Sequence, residues 1–154
     1  MEAVHLRKLG IDANITTWNF LQQESLSEDE RSQMIQSAYA SNYLWEKSGL
    51  GTKINQARGH WLISRVMCVA GNVELAASHA ALCKRYTEEA SDCEDFDRVY
   101  AVEAEARVAA MQGNLEKARE LRTKAEAMAA ALQDAETRDI TIGDVKAEPW
   151  FGLV

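Results

Sequence analysis

The sequence predicts an all-α fold of antiparallel helix pairs without strands, and three observations carry that expectation. Ala, Glu, Leu, Gln, Arg and Lys dominate a chain of 154 residues that has one proline, Pro149, and eight glycines, the composition of helices joined by short turns. No run of alternating Val, Ile or Thr marks a strand. Gly71-Asn72-Val73-Glu74-Leu75-Ala76 aligns with Gly113-Asn114-Leu115-Glu116-Lys117-Ala118 at an offset of 42 residues (113 − 71), so a helix–turn–helix unit recurs along the chain.

Taken in order, Asp12 or Asn14 can cap a short first helix running through Trp18, Phe20 and Leu21 to about Glu24. Ser27 followed by Glu30 has capping-box spacing and opens a second helix that carries Ile35, Ala38, Tyr39, Asn42, Tyr43 and Trp45 and stops at Gly49. Thr52 caps a third helix whose Ile54, Ala57, Trp61, Leu62, Ile63, Val66, Met67 and Val69 lie on most of its sides, a pattern for a central position in the packing. Gly71-Asn72 stops it. The fourth helix runs from Val73 to about Ala90, and Ser91 to Asp95 form a polar turn. The fifth runs from Phe96 to Met111 and ends at Gly113-Asn114. The sixth spans Leu115 to about Leu132. Beyond Gln133, Ile140, Ile142 and Val145 suit a short seventh helix interrupted by Gly143, and Pro149-Trp150-Phe151 reads as an extended apolar tail.

One domain accounts for residues 1–154: a chain of this length buries roughly 70% of the surface its unfolded form exposes, and no Gly/Ser linker or charge block divides it. Within it fall a divergent helix pair at 12–49, repeats at 53–90 and 95–132, and a C-terminal capping tail at 133–154. The tail has two arrangements open to it, folding back on the last pair or entering a neighbouring subunit's groove in a homodimer. A terminal repeat must cover its apolar face, which favours the first.

The net charge of −7, from 17 basic against 24 acidic residues, opposes nucleic-acid and anionic-membrane partners. No apolar run suits a signal peptide or a bilayer span, and Cys68, Cys83 and Cys93 lack disulfide or CxxC spacing, so the cytoplasm is the expected compartment.

With its small residues in the first helix (Ser64, Ala106), its Gly-Asn turn and alanine five residues past the glycine, the repeat resembles the tetratricopeptide family. That family's usual unit is about 34 residues, so this chain resembles a longer-period variant with longer helices or turns. Neither unit carries the proline that ordinarily follows the second helix. The stretch from Ala57 to Val66 is also similar to one in small bacterial repeat proteins. The resemblance implies a short right-handed superhelix of three helix pairs whose first helices line a concave groove, placing Arg58, Trp61, Arg65 and Cys68 from the third helix beside Tyr100, Glu103, Arg107 and Ala110 from the fifth. It implies a non-catalytic adaptor or scaffold taking a protein or peptide segment there. Guanidinium forks on that surface suit an acidic segment or a peptide carboxylate.

Two other function classes stand beside it: a regulatory sensor for a small anionic ligand, built on Arg58, Arg65 and Tyr100 and working as a dimer, and an enzyme of a class no motif specifies. A bland alternative applies to the groove residues themselves, since Glu103 and Arg107 stand four apart on one helix and can pair with each other, with Arg65 joining them. Trp61 equally suits a core. His79 and Cys83 share a helical face at metal-ligand spacing, with Cys68 as a third donor, but a buried thiol beside a histidine is ordinary core chemistry. No GxSxG, GxGxxG or Walker loop is present, so neither a catalytic residue, a metal nor a cofactor is expected. Gly59, inside a helix, predicts close contact with the aromatic face of Tyr39 or Tyr43.

Overall fold

The computed structural model describes residues 2–154, and among them it contains seven helices and no strand. They are α1 (Ala3–Leu21), α2 (Glu28–Ser48), α3 (Lys53–Ala70), α4 (Val73–Glu89), α5 (Asp95–Met111), α6 (Leu115–Ala130) and α7 (Ala135–Lys146). The first six pack as adjacent antiparallel pairs, α1 on α2, α3 on α4 and α5 on α6, while α7 lies against α5 and α6.

The two Gly-Asn turns are built alike. Gly71 and Gly113 adopt left-handed backbone at φ of 78° and 77°. The following asparagine N–H donates back to Met67 O in one turn and Ala109 O in the other, both at 2.9 Å, closing the helix end as a Schellman motif. The asparagine side chains then cap the next helices, Asn72 accepting from Leu75 N and Asn114 from Lys117 N. Five residues past each glycine, Ala76 and Ala118 are fully buried where the paired helices touch.

Ser27 and Glu30 form the expected capping box, and α3 is buried continuously from Trp61 to Cys68, as a central helix should be. Each large aliphatic there contributes about 1.5–3 kcal/mol through its removal from water.

The first helix starts nine residues earlier than Asp12. It is already formed at Ala3, and Gly10, in its middle, sits where α1 and α2 cross. A Cβ there would lie 3.0 Å from Trp45 and 3.3 Å from the Ser41 carbonyl, and Ser41 Oγ donates to Gly10 O at 2.8 Å. Gly59 likewise marks a close crossing, but its neighbour is Asn42, whose Oδ1 occupies the space an added Cβ would need. Tyr39 instead turns to His79, and Tyr43 is exposed beneath Lys47. The α2 helix is thus gripped between two helical glycines. The α7 helix, capped by Asp134 on Thr137 N, is longer than the Ile140–Val145 core suggested, and Gly143 lies within it facing open space. No helix among the described residues is long and apolar enough to cross a membrane.

Candidate binding cleft on the inner helices

The first helix of each pair contributes to one surface. The 42-residue register puts Arg58, Trp61 and Arg65 of α3 opposite Tyr100, Glu103 and Arg107 of α5, and the structure divides these six residues into two groups.

Trp61, Arg65, Glu103 and Arg107 form a buried network. Glu103 Oε2 accepts from Trp61 Nε1 at 2.7 Å, and its Oε1 accepts from Arg65 Nη1 at 2.8 Å and from Arg107 Nε. Glu103 and Arg107 are each 1% exposed. Arg107 also reaches the end of α7 and the tail, donating to the carbonyls of Asp144 and Pro149 at 3.0 and 2.7 Å. Its guanidinium completes the open C-terminal carbonyls of α7, where a cation is favoured. Tyr100 Oη donates to Asp144 Oδ2 at 2.5 Å. Burial, followed by the Asp144 carboxylate, raises the Tyr100 phenol well above its usual range, so the hydroxyl keeps its proton. The buried cations Arg65 and Arg107 are balanced by Glu103 and Asp144, and no buried side-chain polar atom among the described residues lacks a partner.

Arg58 and Tyr100 instead border an open cleft. About 240 Å³ in volume, it lies between α1, α3 and α5 with α4 at its floor, and its lining includes Asn14, Trp18, Ala57, Arg58, Trp61, Leu62, Cys83, Thr87, Phe96, Asp97 and Tyr100. Its wall is aromatic: Trp18 stacks on Trp61 at 5.7 Å between ring centres, Trp61 meets Tyr100 edge-on at 4.9 Å, and Phe96 meets Tyr100 edge-on at 6.3 Å. Arg58, 43% exposed at the side chain, binds Asp97 through two parallel bonds of 2.8 and 3.0 Å and lies over the Phe96 ring. Asp97 is nearly buried and also accepts from Glu94 N at the start of α5. The rim charge is therefore already neutralised, and what the cleft offers a ligand is aromatic and aliphatic surface.

His79 and Cys83 do not converge. His79 faces Tyr39 and His60, whereas Cys83 lies in the core, where burial pushes its thiol up to about 12. Cys68 is held at about 12 for the same reason, so both thiols stay protonated and unreactive. Among the described residues no group of three His, Cys, Asp or Glu side chains could hold a metal ion.

Trp18, Asp97, Asp144 and Trp150 were not among the site residues the sequence suggested. Asp97 had a signal: it occupies the register position of Asn55, and Glu94 that of Thr52, the cap of α3, so both residues open their helices in the same way. Trp18 precedes the matched repeats, and Asp144 and Trp150 follow them, so no register located them. Comparison with protein-family models, with curated proteins and with solved structures finds no match to the chain.

Proposed function

We propose that this protein is a non-catalytic interaction module, a helical-repeat adaptor resembling tetratricopeptide domains, that holds a partner protein segment by inserting an apolar or aromatic side chain into the cleft between α1, α3 and α5. The observation that carries this reading is the combination of an open, aromatic-walled cleft of about 240 Å³ with a rim arginine whose charge Asp97 already balances. A small apolar pocket with few directed polar groups is how a partner's anchor residue is taken up. The neutralised rim moves the reading away from an acidic segment and from a small anionic ligand, because a bidentate carboxylate already occupies two of the Arg58 donors. The buried arginines supply structure here, not free charge.

The test blocks the cleft without touching the core. Asn14 is half-buried at the cleft's edge, and Asn14→Trp places a ring across the opening. Peptides selected from a random display library on the unmodified protein should be enriched in Phe, Trp or Leu anchors. They should bind Asn14→Trp at least tenfold more weakly while its thermal midpoint stays within a few degrees. Peptides that bind both proteins equally, or a selection that enriches nothing, would sink the proposal.

A further inference from the structure

The aromatic cleft does not end at its rim. Asn14 and Arg58 also border a second hollow of about 240 Å³, and Asn42, Trp45 and Asn55 are shared between that hollow and a third of about 310 Å³. The three follow one another along the seam between the α1–α2 pair and the N-terminal half of α3, so the cleft opens into a channel. Trp61 in the cleft and Lys53 at the far end stand eight residues apart on α3, which sets the length of the channel at about 12 Å. An extended chain covers that distance in about four residues.

The channel walls differ from those of the cleft. Four half-buried carboxamides line them, Asn14 and Asn42 on the side of α1 and α2, Asn55 and Gln56 on the side of α3. Asn55 Oδ1 accepts from Thr52 N and Oγ1 at the start of α3, which leaves the amide N–H groups of Asn55 free. The side chains of Asn14, Asn42 and Gln56 hydrogen-bond to no other group among the described residues. A carboxamide offers N–H donors and a carbonyl acceptor, the same groups a peptide unit offers. An extended chain presents its own N–H and C=O groups along both edges, whereas a helix has already bonded them internally. Carboxamides on two facing walls therefore match an extended backbone and find nothing to bond on the flank of a helix.

Charge distinguishes the far end. Glu46 borders the third hollow and forms no ion pair among the described residues, while Lys53 beside it is held by Glu89 at 2.8 Å. At the cleft end Arg58 is neutralised by Asp97. The lining charge left unpaired among the described residues is therefore negative, on a chain whose net charge is −7, and both favour a cation.

We propose that the channel takes the partner segment in extended form, its backbone bonded to Asn14, Asn42, Asn55 and Gln56, with a lysine or arginine about four residues from the anchor meeting Glu46. This rests on the reading of the cleft as the seat of an apolar anchor, and adds the conformation and charge of what flanks that anchor. Backbone bonds are blind to side chains, so the segment between anchor and basic residue is free to vary in sequence. Glu46 is exposed, so its pairing contributes less than the anchor and weakens with added salt.

Short random peptides with one central tryptophan, displayed and selected on the unmodified protein, are the probe. Lys or Arg should be enriched about four positions from the tryptophan on one side only. Replacing a backbone amide between the two by an ester removes an N–H donor without adding bulk, and such changes should weaken binding about threefold or more. Esters on the other side of the tryptophan should have little effect. Gln56→Ala should weaken the same peptides several-fold at an unchanged thermal midpoint, and reselection on Glu46→Lys should turn the basic preference into an acidic one. Peptides that lose affinity with Asn14→Trp, yet tolerate every ester and both Gln56→Ala and Glu46→Lys, would leave the cleft standing and overturn the channel. Binders whose circular dichroism shows them helical in the complex would overturn it as well. A selection that yields no binder overturns both readings.

Discussion

Glu103 answers three donors with one carboxylate, and two of them are guanidinium groups with almost no access to water. The pairing by itself adds little net stability relative to a well-packed apolar core, because removing the ions from water offsets their attraction. Removing one partner is different. Glu103→Ala leaves Arg65 and Arg107 buried with only Asp144 to balance them, and such a loss costs about 3–5 kcal/mol. Glu103→Gln keeps one carbonyl acceptor for a guanidinium or the indole N–H and should lose less. Urea unfolding of the two variants reads the difference in midpoint at constant slope. A Glu103→Ala loss below about 1 kcal/mol would mean that Asp144 and the α7 carbonyls satisfy both arginines unaided.

Helix α2 owes its position to two glycines on its neighbours, and these differ in what they face. At Gly10 the nearest atoms to an added Cβ include the backbone of Ser41 and Trp45, which cannot move without shifting α2. At Gly59 they belong to the Asn42 side chain alone, which can rotate away. Replacing glycine by alanine in a helix is otherwise favourable by roughly 0.5–1 kcal/mol. Gly10→Ala should therefore destabilise, whereas Gly59→Ala should become stabilising once Asn42→Ala has cleared the space. The double-mutant cycle over Gly59 and Asn42 should show a coupling of about 0.5 kcal/mol or more, and additive effects would show that the two positions do not compete for room. The same helices show why the sequence described some elements better than others. The α3 helix was legible because its apolar residues cover most of its sides and a Gly-Asn pair ends it. The first two turns of α1 were not, because its fully buried positions are Gly10 and Thr17 while Val4 is 62% exposed. A helix that packs through glycine and threonine leaves no apolar period to read.

At the scale of the whole molecule, the repeat register brought the paired residues of α3 and α5 together, but which of them are free depends on the chain that follows the repeats. Residues 147–154 return to α5 and α6, where Trp150 is wholly buried among Ala106, Ala109, Ala110 and Ala118. The guanidinium groups of Arg107 and Arg122 lie over its ring at 4.1 and 4.4 Å, and its Nε1 donates to Val145 O at 2.9 Å. These contacts convert Arg107 from a groove residue into the fastening of α7, a role that no spacing within the repeats could specify. Trp150→Ala removes a large buried ring, for which losses of about 3–5 kcal/mol are usual. Because α7 packs against α5 and α6 at one end, and the tail reaches α3 only through the long 3.5 Å bond from Arg65 to the Glu148 carbonyl, that loss should be local. Hydrogen exchange should accelerate in α7 and at the start of the tail and change little in α1 and α2, the pattern of a terminal unit opening alone. Equal acceleration in all seven helices would mean instead that the buried network of Glu103 and Arg107 couples the tail to the core so tightly that the chain opens only as one body.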